Sequence, residues 1–186
     1  MSNNKEKREY RDQVHLFLAL QRPSKQGVGK KGCIRHVIKY DEQEELKVFE
    51  AKLKAIGGEW RIHRTVNIRS TKKAYNWFMK YLIDYPERAS ACDSIWRTAL
   101  LQRECKVTKY FMLDVDTEES KILKKIEFLI LANGKKVLKR IKSPKGWHYI
   151  TEPFDARDVC ELNDVTLIRD GYYYVKTVSE KPKKNL

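Results

Sequence analysis

Two carboxylates near the middle of the chain have a spacing that could support metal chemistry. Asp114 and Asp116 lie at the end of the apolar segment KYFMLDVD, residues 109–116. Alternate side chains of a strand point to the same face, so both acids are expected on one face. Adjacent carboxylates repel each other and are costly to bury without a compensating charge. A magnesium ion could supply that charge, because it uses one or two carboxylates and leaves its other positions to water and phosphate oxygens.

The same segment also has an interpretation without a metal. Asp116 could simply precede the next helix, with Thr117 as the N-cap, while Asp114 pairs with a lysine. Because Asp-x-Asp alone is a weak motif, the surrounding sequence has to decide between the two interpretations.

A basic segment and a histidine follow one helix later. The residues from 135 to 145 include six basic side chains and no acid. The turn Ser143-Pro-Lys-Gly would let backbone N–H groups and Lys145 approach an anion, and His148 could donate to a phosphate oxygen. The alternative is a solvated hairpin tip with an incidental histidine. The residues predicted to contact nucleic acid are Lys136, Lys139, Arg140, Lys142 and Trp147.

The composition favours a polyanionic partner. The formal net charge is +14 and the isoelectric point is near 9.6. A strongly positive field of this kind attracts nucleic acid and nucleotides. No apolar run is long enough to span a membrane, and the first residues lack the apolar core of a signal peptide. We therefore expect a cytoplasmic protein that does not insert into a membrane. The four scattered cysteines indicate neither a zinc site nor a disulfide framework, and most of them are expected in the core.

The first half of the chain predicts alternating strands and helices. The segment from residue 10 to 32 begins as an apolar element whose type stays open between helix and strand. A strand is predicted over CIRHVIKY, a helix over residues 41–58 with Asp41 as N-cap, and a strand over EWRIHRTVNIR. Ser70 is predicted to cap the next helix, and Asp93 to open another. Arg69, at the end of the strand EWRIHRTVNIR, could grip a phosphate with both guanidinium nitrogens.

The second half predicts the order β-α-β-β-α-β followed by a closing hairpin. This order is the split β-α-β arrangement of ferredoxin-like sheets, which RNA-recognition modules also use. The predicted fold class is therefore α/β (α+β), with an N-terminal α/β module at residues 9–107 packed on a ferredoxin-like module at residues 108–179. Residues 1–8 and 180–186 are predicted to be flexible tails.

The motifs FMLDVD and SPKGWHYITEPFD, together with the strand TVNIRS, resemble the catalytic core of the archaeo-eukaryotic primase superfamily. This superfamily includes primase-polymerases and the polymerase domains of bacterial end-joining ligases. The sequence is especially similar to small uncharacterised phage-encoded proteins. The resemblance spans roughly residues 60–174, and its specificity lies in the two short motifs.

The resemblance implies a two-metal site for nucleotidyl transfer. Asp114 and Asp116 would hold Mg²⁺ or Mn²⁺, and Ser143 and His148 would contact the triphosphate of an incoming nucleotide. A third acid is expected on a late strand, where the candidates are Asp164 and Asp170, and Asp170 is taken as the catalytic one. The complete set predicted to bind nucleotide is Ser143, Lys145, His148 and Arg69.

One feature of the predicted sheet argues against this site. If the first and third strands of the second module run parallel, Asp114 and His148 lie a strand length apart. The two residues could then meet only through a different strand pairing.

The sequence favours three functions, and a nuclease or nucleic-acid ligase with the same metal chemistry is a further alternative. The first is a metal-dependent nucleotidyl transferase that acts on nucleic acid with nucleoside triphosphates. The second is a non-catalytic nucleic-acid or nucleotide binder of the same fold. The third is a phage interaction protein whose basic face binds a host factor.

Overall fold

The computed structural model describes residues 12–21, 32–38 and 42–179, which form a mixed α+β structure with two antiparallel sheets. The coarse prediction of a chain that mixes helices and strands is therefore confirmed. The predicted cap Asp41 and the predicted tails lie outside the described residues.

The elements of the first half are, in chain order, β1 (Gln13–Gln21), β2 (Cys33–Ile38), α1 (Glu42–Ile56), β3 (Glu59–Thr65), β4 (Arg69–Ser70), α2 (Thr71–Asp84) and α3 (Cys92–Leu100), with 3₁₀ segments at Pro86–Ala91 and Arg103–Cys105. The elements of the second half are β5 (Phe111–Val115), α4 (Ser120–Ala132), β6 (Val137–Lys142), β7 (Trp147–Thr151), α5 (Arg157–Cys160), β8 (Val165–Ile168) and β9 (Tyr172–Ser179).

Local sequence signals account for several boundaries in the first half. The segment whose type was open is strand β1, which pairs antiparallel with β2. Helix α1 ends at Gly57, whose φ of 82° is in the left-handed region that glycine adopts without a Cβ penalty. The Ser70 Oγ accepts a hydrogen bond from the Lys73 N–H at 3.3 Å, which confirms the predicted N-cap of α2.

The four-stranded sheet has the order β6-β7-β5-β8. Strand β7 is antiparallel to both β5 and β6, so β5 and β6 run parallel to each other with β7 between them. Strand β8 is antiparallel to β5 on its other side. The expectation that the first and third strands run parallel is therefore wrong, because these strands, β5 and β7, are antiparallel neighbours.

The predicted closing hairpin is also wrong. Strand β8 belongs to the four-stranded sheet, whereas β9 belongs to the five-stranded sheet with the order β2-β1-β3-β9 and β4 on β1. The carbonyl of Gly171, between the two strands, accepts a hydrogen bond from the Val66 N–H at 2.9 Å. The chain after β8 therefore pairs with the segment that follows β3 and does not fold back on β8.

Each face of the four-stranded sheet has its own apolar cluster. On one face, Leu113 and Val115 of β5 pack with Ile126 of α4 and Val159 of α5. On the other face, Met112, Ile150, Val66 and Tyr173 pack together. Both helices therefore cover one face of the sheet, and we call it the helix-side face.

The described residues divide into two compact units. The first unit comprises residues 12–21, 32–38, 42–62, 68–108 and 176–179, and the second comprises residues 63–67 and 109–175. The division predicted from sequence, at residues 107/108, assigned residues 63–67 to the first module, whereas in the structure they group with the second unit.

Two further properties concern the whole described part of the chain. None of its helices combines the length and the apolar character needed to cross a membrane. Of the cysteines, only Cys105 is buried, Cys92 is partly buried, and Cys33 and Cys160 are exposed. The prediction that most cysteines lie in the core is therefore wrong.

Candidate functional site

Strand β5 presents Asp114 on the face opposite the helices. Leu113 and Val115 are buried on the helix-side face, so the alternation of the strand places Asp114 with Met112 on the other face. The Asp114 side chain is 35% exposed. This carboxylate is therefore partly sheltered by the protein but still accessible from solvent.

Strand β7 places His148 directly opposite Asp114. The two residues are partners in the antiparallel register of β5 and β7, and cross-strand partners point to the same face. The Nε2 atom of His148 lies 3.2 Å from the Asp114 Oδ1, and the His148 side chain is 9% exposed. The structure therefore brings together the two residues that the sequence motifs singled out.

The hydrogen bond at one ring nitrogen of His148 determines which nitrogen carries the proton. The backbone N–H of Tyr174 donates to the Nδ1 of His148 at 3.1 Å. An amide N–H can only donate, so Nδ1 accepts and the proton of the neutral ring is on Nε2. The Nε2–H group therefore lies beside the Asp114 carboxylate, with 3.2 Å between Nε2 and Oδ1. Because Nε2 carries the proton, it can act as a hydrogen-bond donor and is not a metal ligand in this state.

The turn between β6 and β7 packs tightly against the end of β5. Gly146 donates its N–H to the Ser143 Oγ at 3.1 Å, and the Ser143 N–H donates to the Gly146 carbonyl at 2.9 Å. A Cβ atom added to Gly146 would lie 2.0 Å from the carbonyl oxygen of Val115, so only glycine permits this approach. Ser143 is buried and closes the turn, while Lys145 is exposed at its tip.

Asp116 lies next to Asp164 across the end of the sheet. The Asp116 N–H donates to the Asp164 carbonyl at 2.8 Å, which extends the pairing of β5 with β8 by one step. Both acids are exposed. Asp164 has a φ of 62°, in the left-handed region where aspartate is enriched. Of the two candidates for a third acid, Asp164 is the one beside Asp116.

Asp170 lies at the opposite end of β5. The last residue of β8, Ile168, pairs with Met112, so Asp170 follows beyond the start of β5. Its Oδ1 accepts a hydrogen bond from the Asn67 Nδ2 at 3.4 Å. The structure therefore does not bring Asp170 together with Asp116.

The two acids at this end of the sheet, Asp114 and Asp116, are of the residue type that divalent ions prefer as ligands. Asp114 is partly exposed, Asp116 is exposed, and carboxylate oxygens suit Mg²⁺ or Mn²⁺. In the part of the chain that the structure describes, no group of three or more His, Cys, Asp and Glu side chains is arranged to hold a metal ion. An ion bound here would complete its coordination with water or substrate oxygens.

Three of the residues predicted to bind nucleic acid lie on the helix-side face. Arg140 is paired with Tyr149 and Lys142 with Trp147 in the register of β6 and β7. The guanidinium of Arg140 is 4.1 Å from the centroid of the Trp147 ring, a cation–π distance. Arg140, Lys142 and Trp147 therefore lie on the face opposite to His148.

Neighbouring acids compensate part of the positive charge of this segment. The Arg140 Nη1 lies 3.3 Å from the Glu127 Oε1 of α4, and Lys142 forms an ion pair with Glu118. These partly exposed pairs contribute about 1 kcal/mol or less each to stability. The ion pairs matter more for phosphate binding than for stability, because a cation that is already paired with an acid is less available to a phosphate.

The other predicted basic residues of this segment, Lys135, Lys136 and Lys139, have different surroundings. The Lys135 Nζ lies 3.9 Å from the Glu152 Oε2. Lys139 lies on the Asp114 face, with its ammonium 5.1 Å from the centroid of the Tyr173 ring. Lys136 is exposed.

Tyr149 is buried under Arg140 on the helix-side face. Burial raises the pKa of its phenol to about 12, while the Arg140 charge lowers it and Glu127 raises it. The ring therefore serves as packing for the core and as a surface for the guanidinium, 5.3 Å from its centroid.

Arg69 belongs to the first unit. Its side chain is buried, and its backbone pairs with Val14 of β1 and with Lys106. A phosphate contact by this guanidinium, as predicted from sequence, would need a path to a buried group.

Sequence reasoning missed three groups that determine the character of this region. One is the Tyr174 amide, and a backbone donor has no signal in the residue types. The others are Glu118 and Glu127, which neutralise basic side chains of β6. The sequence did contain a signal for these two acids. In a β-α-β crossover the helix packs over the strands that it connects, and both acids lie in the connection between β5 and β6.

Comparison with known proteins adds no relative. No protein-family model, no curated protein and no solved structure matches this chain.

Proposed function

We propose that this protein is a metal-dependent nucleotidyl transferase of the primase-polymerase type, which extends nucleic acid from nucleoside triphosphates. The observation that carries the proposal is the register of β5 and β7, in which the Nε2 of His148 lies 3.2 Å from the Oδ1 of Asp114. These residues belong to the two motifs, Asp-x-Asp and Ser-x-x-Gly-x-His, that carry the resemblance to primases.

The topology of the second unit supports the proposal. Two parallel strands, β5 and β6, flank an antiparallel one, and both helices cover one face. We interpret this sheet as ferredoxin-like, the class of RNA-recognition modules and of the primase core that the motifs resemble. The end of β5 that carries Asp114 and Asp116 is then the place for the reaction.

Each residue of the candidate site has a role in the proposed reaction. A 3′ hydroxyl attacks the α-phosphate of the nucleotide, and pyrophosphate leaves. Asp114 and Asp116 would hold Mg²⁺ or Mn²⁺, which neutralises phosphate charge and promotes loss of the hydroxyl proton. His148 would donate its Nε2–H to a triphosphate oxygen, and the turn that ends at Gly146 would place Lys145 near the same phosphates.

The experiment that tests this function measures nucleotide incorporation with manganese on primed and unprimed templates. The wild-type protein should incorporate nucleotides only with a divalent ion, and Asp114→Asn should reduce the rate to the background. Asp158→Asn is the matched control, because Asp158 is an exposed carboxylate of α5 on the same unit. It should leave the rate unchanged.

Two outcomes would contradict the proposal. One is a wild-type protein without ion-dependent incorporation on any template. The other is an Asp114→Asn variant that keeps its activity while binding of manganese is lost.

A second candidate function is a non-catalytic nucleotide or nucleic-acid binder. The observation that favours it is the lack of a three-ligand metal group among the described residues, with Asp170 bonded to Asn67. Such a protein would bind nucleic acid with steep salt dependence, and Asp114→Asn would not change its affinity.

A further inference from the structure

Helix α2 of the first unit exposes an apolar row. Tyr75, Met79 and Ile83 are spaced four residues apart, so they lie along one side of the helix. Their exposed fractions are 55%, 38% and 73%. Large apolar side chains in a contiguous exposed row mark interaction surfaces more often than single exposed ones do.

A second row, of aromatic rings, begins on α2 with a stacked pair and ends at Tyr85, the residue that follows the helix. The rings of Trp77 and Tyr81 are 5.1 Å apart with an interplanar angle of 15°, and those of Tyr81 and Tyr85 are 5.0 Å apart with an angle of 40°. Tyr85 is 50% exposed, and the other two rings are partly buried. The stack therefore ends in an accessible ring.

Two lysines separate the two rows. At 100° per residue, Lys80 and Lys73 fall side by side between the rows, whereas Lys72 falls within the apolar row, between Met79 and Ile83. Asp84 is the only acid of this helix. Among the described residues, no carboxylate forms an ion pair with any of the three lysines.

These features together fit one kind of ligand. Exposed rings offer stacking faces to bases, and unpaired lysines offer charge to phosphates, which is how single strands are bound without sequence preference. An acidic peptide would match the lysines but would leave the ring faces without a specific use. Duplex nucleic acid would match the charge but would keep its bases away from the rings.

We propose that the α2 surface, made of Tyr75, Met79, Ile83, Tyr85 and the three lysines 72, 73 and 80, binds single-stranded nucleic acid. Bases stack on the tyrosine rings, and phosphates contact the lysines. This inference is independent of the reaction at Asp114, because it needs no metal and no triphosphate.

The test is fluorescence anisotropy with labelled oligo(dT) and oligo(U) 20-mers, on the full chain. The double variant Tyr75→Ala, Lys72→Gln should raise the Kd at least about fivefold, since it removes a stacking ring and a phosphate contact. The slope of log K against log salt should fall by about 0.7, the value for one phosphate of a single strand. The two probes separate DNA from RNA binding on the same surface.

The matched control is Phe128→Ala, Lys125→Gln on α4. These residues are also exposed and also three positions apart, so the variant removes an exposed ring and a lysine at the same helical offset. Its Kd should stay within twofold of the wild-type value. Circular dichroism checks that both variants keep their helical content.

Three outcomes would overturn the inference: a wild-type protein that binds neither probe, an unchanged Kd in the α2 variant, or an equal loss in the control. The inference would also be overturned if the protein formed a dimer that depends on Tyr75 while its oligonucleotide binding did not. The α2 surface would then bind a second copy of the chain. Binding that is normal in Asp114→Asn but weak in the α2 variant supports the surface even if no nucleotide incorporation is found.

Discussion

The two faces of the four-stranded sheet differ in how far their charged groups are neutralised by neighbouring residues. On the helix-side face, Arg140 and Lys142 lie over Trp147 and also pair with acids. On the opposite face, the Nε2 of His148 lies 3.2 Å from a carboxylate that is still 35% exposed. The first face satisfies its charges internally, whereas the second keeps a negative group accessible to a ligand.

This difference shows that sequence neighbours in a strand can belong to separate sites. Trp147 and His148 are consecutive, yet one packs with the helices and the other faces Asp114. Because successive side chains of a strand point to opposite faces, the aromatic–cation cluster and the candidate reaction centre lie on separate faces of the sheet. Variants at positions 146 to 149 should therefore have distinct effects.

The largest expected effect comes from Gly146→Ala, which disturbs both faces. Its Cβ would lie 2.0 Å from the Val115 carbonyl oxygen, so the turn must move away from β5. We expect the free energy of unfolding to fall by about 3 kcal/mol, the upper range for overpacking, and nucleotide binding to be lost. Urea unfolding followed by circular dichroism measures the change.

Gly134→Ala is the control for Gly146→Ala. Gly134 has a φ of 68°, but an added Cβ would meet nothing within 4 Å. Only the left-handed conformation is penalised there, at about 1 kcal/mol. If both variants lost the same stability, the close approach at Gly146 would not be the cause.

Trp147→Ala should lower the stability without changing ligand binding, which would distinguish the role of the helix-side face from that of the Asp114 face. The ring packs against the helix-side cluster and under the Arg140 guanidinium, so its removal should lower the free energy of unfolding by about 2 kcal/mol. Manganese and nucleotide binding at Asp114 should not change. Calorimetric titration of the folded variant measures this. A stable variant that had lost nucleotide affinity would instead place Trp147 at the site, as the sequence suggested.

His148 substitutions should have the converse effect, with a small loss of stability and a larger loss of binding. His148→Gln can keep a donor near the Nε2 position, and His148→Asn can keep an acceptor for the Tyr174 amide. Each should lose about 1 kcal/mol of stability, since each loses one polar contact of the imidazole, with the Tyr174 amide or with the Asp114 carboxylate. Triphosphate affinity should fall about tenfold more in His148→Asn, because only the Nε2 donor reaches the ligand.

The ¹⁵N spectrum of the wild-type imidazole gives a direct check of this hydrogen-bond arrangement. Nδ1 should show the shift of an unprotonated nitrogen, and Nε2 that of a protonated one. A spectrum with the proton on Nδ1, or a His148→Asn variant that binds nucleotide better than His148→Gln, would contradict it.

In this region, the sequence predicted the features that depend on residues close together in the chain, but not those that depend on residues far apart in it. The alternation of β5 predicted the faces of Leu113 and Asp114, and the Gly146 motif marked a turn, because both are local properties of the chain. The pairing of Asp114 with His148 could not be obtained locally, since it needs the order and direction of β5 and β7. The same limit applies to the basic residues of β6, whose acid partners Glu118 and Glu127 come from a helix.

The smallest expected effect tests the burial of Tyr149 on the helix-side face. Its pKa is raised from the ordinary value of 10 to about 12, so between these pH values the unfolded chain has released the proton and the folded chain has kept it. The unfolded state then binds fewer protons, and the free energy of unfolding falls as the pH rises from 10 to 12, by about 1 kcal/mol at pH 11. Tyr149→Phe should remove this part of the fall, and Tyr75→Phe, at an exposed ring, should not. Urea unfolding at pH 9 and pH 11 compares the three proteins, and an identical pH dependence in Tyr149→Phe would mean that this phenol is accessible to solvent.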